Sequence, residues 1–254
     1  MTNKKKLHLV FDGDMIVFQS CLAVEYETNW EDDLWTLWAD AADAKAEVDA
    51  RIHDITAAVL DKLNFEGEYD IILCFTCDEG NFRNKILPVY KQNRLGNRKP
   101  VCYKAVKEWA RRQYYSLQRP HLEADDLCGI LATRYKGNTV IISGDKDFKS
   151  IPSIFYNFLK RELFTISEGE ADYFHYVQTL IGDTADNYTG CPGIGVKTAE
   201  KLFATKGVSW QTVVDAFKKK GFSEDYALQQ ARVAYILRDK DYDSKTGKIK
   251  FWEP

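Results

Sequence analysis

The sequence predicts an α/β protein with a central, mostly parallel sheet flanked by helices. Three short segments support this prediction, at residues 7–11, 70–76 and 139–143. Each is apolar on both faces and rich in β-branched or aromatic residues, as strands buried inside a parallel sheet are. Longer segments with a helical spacing of apolar residues separate them. Such strand–helix–strand alternation is typical of parallel sheets with right-handed crossovers.

The segments between and after these strands are predicted as helices. In residues 31–63, which open with an acidic, Trp-rich stretch, apolar side chains recur at roughly helical spacing and predict one long helix. The other predicted elements are helices at 103–118, 123–136 and 224–239, helical turns within 168–206, and a turn at 245–247. We therefore expect an α/β core at 1–165 and a helical region at 166–254, together forming one compact unit.

Composition narrows the class of protein. The 254 residues are 45% hydrophobic and 29% charged, with a net charge of −3, as in an ordinary globular protein. No apolar stretch reaches the roughly 18 residues that span a bilayer. The N-terminal residues 1–6 lack the apolar region of a signal peptide, so we expect an intracellular protein without a membrane partner.

The charges are strongly segregated along the chain. Residues 79–119 hold eleven Lys or Arg and only two acids, whereas residues 25–54 hold ten acids and two bases. This uneven distribution of charge is a better indicator of binding partners than the small net charge is.

Acidic residues follow each predicted strand. Asp12, Asp78 and Asp145 stand directly at or after the strand ends. Ligands of open α/β sheets bind beyond the carboxyl ends of the strands, so these residues lie where a site is expected. Further acids cluster at the ends of other elements, and the full set of nine is Asp12, Asp78, Glu123, Asp125, Asp126, Asp145, Asp147, Asp183 and Asp186.

This set of carboxylates predicts a site for divalent cations. Carboxylates packed together without counter-charge repel one another and take up protons, whereas metal ions neutralise them. All-oxygen ligands suit Mg²⁺ or Mn²⁺ rather than zinc. Nine carboxylates exceed the needs of one Mg²⁺, and two ions roughly 3.5–4 Å apart would suit phosphodiester hydrolysis.

Taken alone, Asp12-Gly13-Asp14 is also compatible with a different chemistry. A strand that ends in Asp-x-Asp fits a haloacid-dehalogenase-like phosphatase, with Asp12 as the covalent nucleophile and Asp14 as the general acid. The acids could also be ordinary turn and cap residues, or the chain could be a DNA-binding module without activity. The phosphatase leaves the remaining acidic clusters and the basic segment unexplained.

The basic segment, residues 79–119, predicts contact with nucleic acid. Its cations alternate with aromatic residues, and cations neutralise phosphates while aromatic rings stack on bases. The segment connects Asp78 to Glu123, so it should overhang the acidic site. We call it the arch.

A second DNA-binding motif lies at residues 190–203, "GCPGIGVKTAEKLF". Gly193 and Gly195 predict a tight turn that feeds a helix starting near Val196. Backbone N–H groups at such a turn can hold a phosphate, with Lys197, Thr198 and Lys201 beside it. This pattern is typical of a helix–hairpin–helix, which grips a DNA backbone without reading its sequence.

Together these motifs resemble the flap endonuclease / 5′→3′ exonuclease superfamily, and within it the double-strand-specific 5′→3′ exonucleases of podoviruses. The resemblance covers most of the chain and rests on "VFDGD", "CDEGNFR…VYKQNR", "EADD", "SGDKDF", "GDTADNYTGCPGIGVKTAEKL" and "ILRDKDY…FWEP". It implies a PIN-like nuclease fold with a basic helical arch and a C-terminal helix–hairpin–helix.

The resemblance also implies roles for individual residues. Asp12, Asp78, Glu123, Asp125 and Asp126 would bind mainly the first metal, Asp145 and Asp147 would lie between the sites, and Asp183 and Asp186 would face the second. Lys91 and Arg94 would contact the scissile phosphate and act in catalysis with Asp78 and Asp145, while Arg83, Lys85 and Tyr90 would support DNA. Asp14 is expected to be a supporting residue.

The activity implied is a Mg²⁺- or Mn²⁺-dependent 5′→3′ exodeoxyribonuclease that acts on duplex ends, nicks or gaps and yields 5′-phosphorylated nucleotides. A structure-specific flap endonuclease is the alternative. The resemblance also suggests two Mg²⁺ ions, a monovalent cation at the helix–hairpin–helix, RNA–DNA hybrids as further substrates, a monomer, and the host cytoplasm as the place of action of a viral protein.

Overall fold

A computed structural model describes residues 6–254. The predicted absence of a signal peptide concerns residues 1–6, which lie almost entirely outside this range. The strands are β1 Leu7–Asp12, β2 Tyr26–Asn29, β3 Trp35–Trp38, β4 Tyr69–Cys74, β5 Ser116–Leu117, β6 Thr139–Ser143, β7 Ile154–Asn157, β8 Glu162–Thr165, β9 Tyr242–Asp243 and β10 Lys248–Ile249. The helices are α1 Gly13–Ala23, α2 Ala41–Lys62, α3 Arg83–Ile86, α4 Tyr103–Gln113, α5 Ala124–Arg134, α6 Glu168–Ile181, α7 Val196–Lys206, α8 Trp210–Lys219 and α9 Glu224–Ala234.

The central sheet confirms the predicted fold class. Its strand order is β5-β4-β1-β6-β7-β8, and all neighbouring strands are parallel except β7 and β8. The three predicted strands, β4, β1 and β6, are adjacent inner members of this sheet. Since β1 lies between β4 and β6, acids at the ends of these strands meet at one edge.

Both faces of the sheet are buried, as the apolar character of the strands predicted. Alternate residues of β1 point to opposite faces, so Leu9 and Phe11 join one apolar cluster and Val10 joins the other. Helices α1, α2 and α4 cover the first face, while α5 and the extended segment 235–237 cover the second.

The predicted long helix at 31–63 is wrong in its first third. Strands β2 and β3 form an antiparallel hairpin, and α2 begins only at Ala41, where the Asp40 side chain accepts a hydrogen bond from the Ala42 N–H at 2.7 Å. In the hairpin, Tyr26 and Trp38 are directly paired and their rings lie 5.7 Å apart. This cross-strand aromatic contact favours the strand conformation over the helical spacing that the sequence also permits.

Two other predicted helices end earlier than expected. Helix α4 ends at Gln113 because β5 pairs with β4 at the edge of the sheet. Helix α9 ends at Ala234 because residues 235–237 run extended into the core under α5. Helix α8 was not predicted.

Helices dominate the chain after the sheet. Helices α6 to α8 enclose an apolar cluster of their own around Val213 and Phe217, and Ala227 of α9 also belongs to it. Strands β9 and β10 form a short hairpin around the predicted turn at 245–247. The domain boundary near residue 165 stays a prediction. Among residues 6–254, no helix has the length and apolar character that crossing a membrane requires.

Candidate active site

The acids at the strand ends meet in one cleft. Asp12 ends β1 and caps α1, where its carboxylate accepts hydrogen bonds from the Met15 N–H at 3.1 Å and the Ser143 hydroxyl at 3.0 Å. Asp145 caps the short 3₁₀ turn after β6, and Asp78 follows β4. The cleft brings together eight of the nine predicted carboxylates with Lys91 and Arg94, and those eight are Asp12, Asp78, Glu123, Asp125, Asp145, Asp147, Asp183 and Asp186.

Asp126 does not line this cleft, which corrects its expected place among the metal ligands. Its fully buried carboxylate accepts two hydrogen bonds from Arg83, at 2.7 and 2.8 Å, and one from the Leu237 N–H at 3.2 Å. Asp126 faces a different side of the α5 N-terminus from Asp125, and its oxygens hold the core together.

Arg83 is likewise an internal residue rather than a DNA contact. It is 2% exposed, and its guanidinium also donates to Glu123 at 3.0 Å and to the carbonyls of Val233 at 3.0 Å and Tyr235 at 2.7 Å. All of its N–H groups are therefore used. Arg83 joins the arch, α5 and the C-terminal segment, and it orients Glu123.

Tyr90 is also buried, at 5% exposure, and the prediction that it touches DNA does not fit that burial. Its hydroxyl lies 3.0 Å from Glu123 and 3.1 Å from Asp186, so it links carboxylates that come from two distant segments. Lys85, by contrast, is exposed on α3 and lies outside the lining of the cleft.

Lys91 and Arg94 pair with acids of the cleft. The Lys91 ammonium contacts Glu123 and lies 3.6 Å from Asp186, and Arg94 contacts Asp186. The Lys91 N–H donates to the Asp186 carbonyl at 2.9 Å, and Arg94 Nε donates to the Ala185 carbonyl at 2.9 Å. The first part of the arch is thus held against the loop that carries Asp183 and Asp186.

The charges divide the cleft into two parts. Burial opposes ionisation of Glu123, but Lys91 and Arg83 outweigh it and lower the pKa of Glu123 to about 2. Burial raises the pKa of Asp12 to about 7, and repulsion from Asp14 adds to the effect. Burial and Asp145 raise the pKa of Asp147 to about 6, and burial and Asp12 raise the pKa of Asp125 well above its usual value. In this second part Asp147 pairs with Lys146 at 2.9 Å, but within residues 6–254 Asp12 and Asp125 have no ion-pair partner, so acids outnumber bases.

This acid-rich second part of the cleft fits hard divalent cations. The groups available to an ion there are carboxylate oxygens, which Mg²⁺ and Mn²⁺ prefer, and the raised pKa values record a lack of counter-charge that such ions would supply. Within residues 6–254, no three acidic, His or Cys side chains converge into a ready coordination shell. The carboxylates line the walls of the cleft, so an ion would complete its shell with water, as Mg²⁺ commonly does.

Asp14 stands beside Asp12 but is engaged elsewhere. Its carboxylate accepts hydrogen bonds from the Thr76 N–H at 2.7 Å and the Tyr103 hydroxyl at 3.0 Å, and the Lys107 ammonium lies 3.0 Å away. An oxygen that accepts from these groups is not placed to protonate a leaving group. Sequence reasoning missed Tyr103 and Lys107, although their spacing of four residues puts them on one face of α4.

The glycine hairpin has the predicted form. Gly193 has a φ of +77°, where only glycine is unstrained, and Gly195 caps α7 at Val196. Lys197, Thr198 and Lys201 are exposed on the first turns of α7. The hairpin therefore presents backbone and cationic groups to solvent.

Comparison with known proteins defines the class. A family model described as "5'-3' exonuclease, N-terminal resolvase-like domain" matches residues 7–171. The chain is 32% identical over 284 residues to an exodeoxyribonuclease of Enterobacteria phage T3, covering 97% of this chain and 92% of that protein. It is 31% identical over 285 residues to an exonuclease of Escherichia phage T7, covering 97% and 93%. The chain is an enzyme of the nuclease class.

The chain belongs to the 5′-3′ exonuclease family, which confirms the predicted resemblance. Among solved structures, the phage T5 D15 protein crystallised with metal ions shares the fold, with a TM-score of 0.64 at 15% identity over 90% of this chain and 89% of that one. Identity at this level supports the fold alone.

Proposed function

We propose that this protein is a metal-dependent 5′→3′ exodeoxyribonuclease. It acts on duplex DNA at ends, nicks or gaps and releases 5′-phosphorylated nucleotides. The observation that carries this proposal is the single cleft that joins eight carboxylates to Lys91 and Arg94 beneath the arch. The family and the phage relatives named as exonucleases support it.

The carboxylates divide between two Mg²⁺ ions, for which Mn²⁺ can substitute. Asp12, Asp78, Glu123 and Asp125 would hold mainly the first, Asp183 and Asp186 would hold the second, and Asp145 and Asp147 would lie between them. When bound, the ions would polarise the scissile phosphate and acidify an attacking water. The T5 D15 protein, which has this fold, was itself crystallised with metal ions.

The cations of the arch orient the DNA. Lys91 and Arg94 contact the scissile phosphate, where positive charge stabilises the charge that develops during cleavage. Since both now pair with Glu123 or Asp186, they exchange a carboxylate for a phosphate when substrate enters. Lys85 meets the DNA backbone farther from the reaction.

The glycine hairpin binds the duplex at a distance from the scissile bond. The N–H groups near Gly193 and Gly195, with Lys197, Thr198 and Lys201, bind backbone phosphates, and a monovalent cation assists there. None of these contacts reads a base, so the activity is independent of sequence.

A structure-specific flap endonuclease is the second candidate, and the arch beside the cleft favours it. A phosphatase of the haloacid dehalogenase type is not proposed, because Asp14 accepts hydrogen bonds from Thr76 and Tyr103 and pairs with Lys107. We further propose a monomer that also accepts RNA–DNA hybrids and, since the relatives are phage proteins, works in the host cytoplasm.

The test is a time course on 5′-labelled duplex, nicked, flapped and single-stranded DNA with Mg²⁺ or EDTA. Asp145→Asn should lose nearly all release of labelled nucleotide, while Asp61→Asn, an exposed acid on α2, should match the wild type. Full activity of the Asp145→Asn protein, or release that persists in EDTA, would contradict the proposal.

A further inference from the structure

The far end of the arch is tied down by one carboxylate. The arch loop, residues 95–101, joins the 3₁₀ turn Gln92–Arg94 to α4. Glu25 accepts a hydrogen bond from the Arg98 guanidinium at 2.6 Å with one oxygen, and from the Val101 N–H at 2.6 Å with the other. The Glu25 side chain is only 3% exposed, whereas that of Arg98 is 50% exposed. Both oxygens of this carboxylate, which its partners cover, are therefore committed to the arch loop.

Glu25 lies just past the C-terminal end of α1, the helix that lines the cleft beside the arch. Phe18 and Leu22 of α1 line the cleft on one side, and Lys99 and Tyr103 line it from the arch. Glu25 thus bridges the two walls where the cleft would otherwise open between them. The Arg98 hydrogen bond also lowers the pKa of Glu25, so this bridge stays charged at neutral pH.

A second tie lies at the other end of α1. Asp14, in its first turn, holds Tyr103 and Lys107 of α4. The returning leg of the arch is consequently fixed to both ends of one helix, at Asp14 near the carboxylates and at Glu25 near the opening. Charged hydrogen bonds of this kind are stronger than neutral ones.

We propose that Glu25 is a specificity-determining residue, a latch that closes the cleft between the arch loop and α1 and so favours duplex ends over 5′ flaps. A duplex end places only its terminal nucleotide in the cleft. A flap continues beyond the reacting phosphate, and it must pass between the arch loop and α1. With the latch closed, that passage has to be opened first, and the latch contacts are lost.

The predicted preference for duplex ends rests on the proposed nuclease function, whereas the contacts of Glu25 with the arch loop do not depend on it. The first measurement is hydrogen–deuterium exchange of residues 95–101 without DNA or metal. Loss of the Val101 N–H acceptor in Glu25→Ala should speed exchange there by about tenfold or more, since a hydrogen bond to a charged group is broken. Glu25→Gln, which keeps an acceptor for Val101 but loses the charge, should show a smaller increase.

The second measurement is the ratio of flap cleavage to nucleotide release from a blunt duplex. Glu25→Ala should raise this ratio by about tenfold, while the matched control Glu31→Ala, an exposed acid between β2 and β3, should leave it unchanged. Exchange that stays at the wild-type rate, or a ratio that stays constant while exchange rises, would overturn the inference.

The two measurements distinguish a failure of the proposed nuclease function from a failure of the Glu25 latch. If the wild type releases no nucleotides, the proposed function fails, and the exchange rates still report on the latch. If Glu25→Ala melts well below the wild type, Arg98→Gln breaks one of the two latch contacts from the arch side. It must still raise exchange, though less than Glu25→Ala, because Val101 keeps its acceptor. Exchange in Arg98→Gln that equals the wild-type rate would count against the latch.

Discussion

Arg83 and Asp126 form a bidentate ion pair inside the core, with nitrogen–oxygen distances of 2.7 and 2.8 Å and almost no exposure of either side chain. The pair connects the arch to α5, whose N-terminus carries Glu123 and Asp125. The position of the acidic cleft relative to the arch therefore depends on a contact that is buried in the core.

Breaking this pair from one side should be costly. Arg83→Met leaves the buried Asp126 carboxylate unpaired, and we expect a loss of about 3–5 kcal/mol in the free energy of unfolding. The double variant Arg83→Met/Asp126→Leu should recover part of the loss, because it removes the unpaired charge. Urea denaturation of the two variants measures the difference, and a double variant less stable than Arg83→Met would contradict the expected role of the pair.

Asp12 should lower the stability of the metal-free protein. Its raised pKa means that the ionised carboxylate is disfavoured in the folded state at neutral pH. Asn can also cap a helix, so in EDTA we expect Asp12→Asn to gain about 1–2 kcal/mol and a higher melting temperature. In the wild type, Mg²⁺ should raise the melting temperature more than it does in the variant. An equal response to Mg²⁺ in both proteins would remove Asp12 from the proposed metal ligands.

Lys91 and Lys85 provide a matched pair within the arch. Lys91 lies in the cleft beside Glu123, whereas Lys85 is exposed on α3. We expect Lys91→Met to lower kcat by about 10²–10³-fold, a size typical of a lost group that stabilises developing charge. Lys85→Met should mainly weaken binding. Single-turnover rates at saturating DNA separate the two effects. Similar rates for both variants would contradict the different roles of Lys91 and Lys85.

The glycine hairpin should bind DNA through its charge. Lys197→Ala should weaken binding to duplexes of different sequence to the same extent, and it should reduce the slope of log K against log salt by about 1. Lys62→Ala, at the end of α2, serves as the control. Fluorescence anisotropy in EDTA, which prevents cleavage, measures both. An unchanged salt slope for Lys197→Ala would exclude this contact.

His175 gives the fold a dependence on pH that is separate from the cleft. Its ring is buried and donates to the Ala231 carbonyl at 2.9 Å, and burial lowers the pKa of His175 to about 4 from its usual 6.5. The folded state favours the neutral ring. The stability that His175 contributes is therefore fully present above about pH 6.5 and is lost as the pH falls toward 4. Between pH 7 and 4.5 the wild type should lose about 2 kcal/mol more than His175→Gln. Parallel stability curves for the two proteins would refute the prediction.

Much of the site could be predicted from the sequence because strands buried on both faces are short apolar runs that end abruptly. Asp12, Asp78 and Asp145 follow such runs, and the carboxyl ends of parallel neighbours meet at one edge. The hairpin that holds Trp35 and Trp38 could not be predicted, since its spacing of apolar residues also fits a helix and only the pairing of Tyr26 with Trp38 decides between them.

The sequence by itself determined the three parallel strands β1, β4 and β6, the carboxylates at their ends and the family of the protein, because these depend on local apolar patterns and on ordered motifs. Only the tertiary structure decided which way each charged side chain faces. Asp125 and Asp126 are adjacent in the chain, yet one lines the cleft and the other is buried against Arg83. Neighbouring residues at a helix start point to different sides, and the partner that each one finds comes from a distant part of the chain.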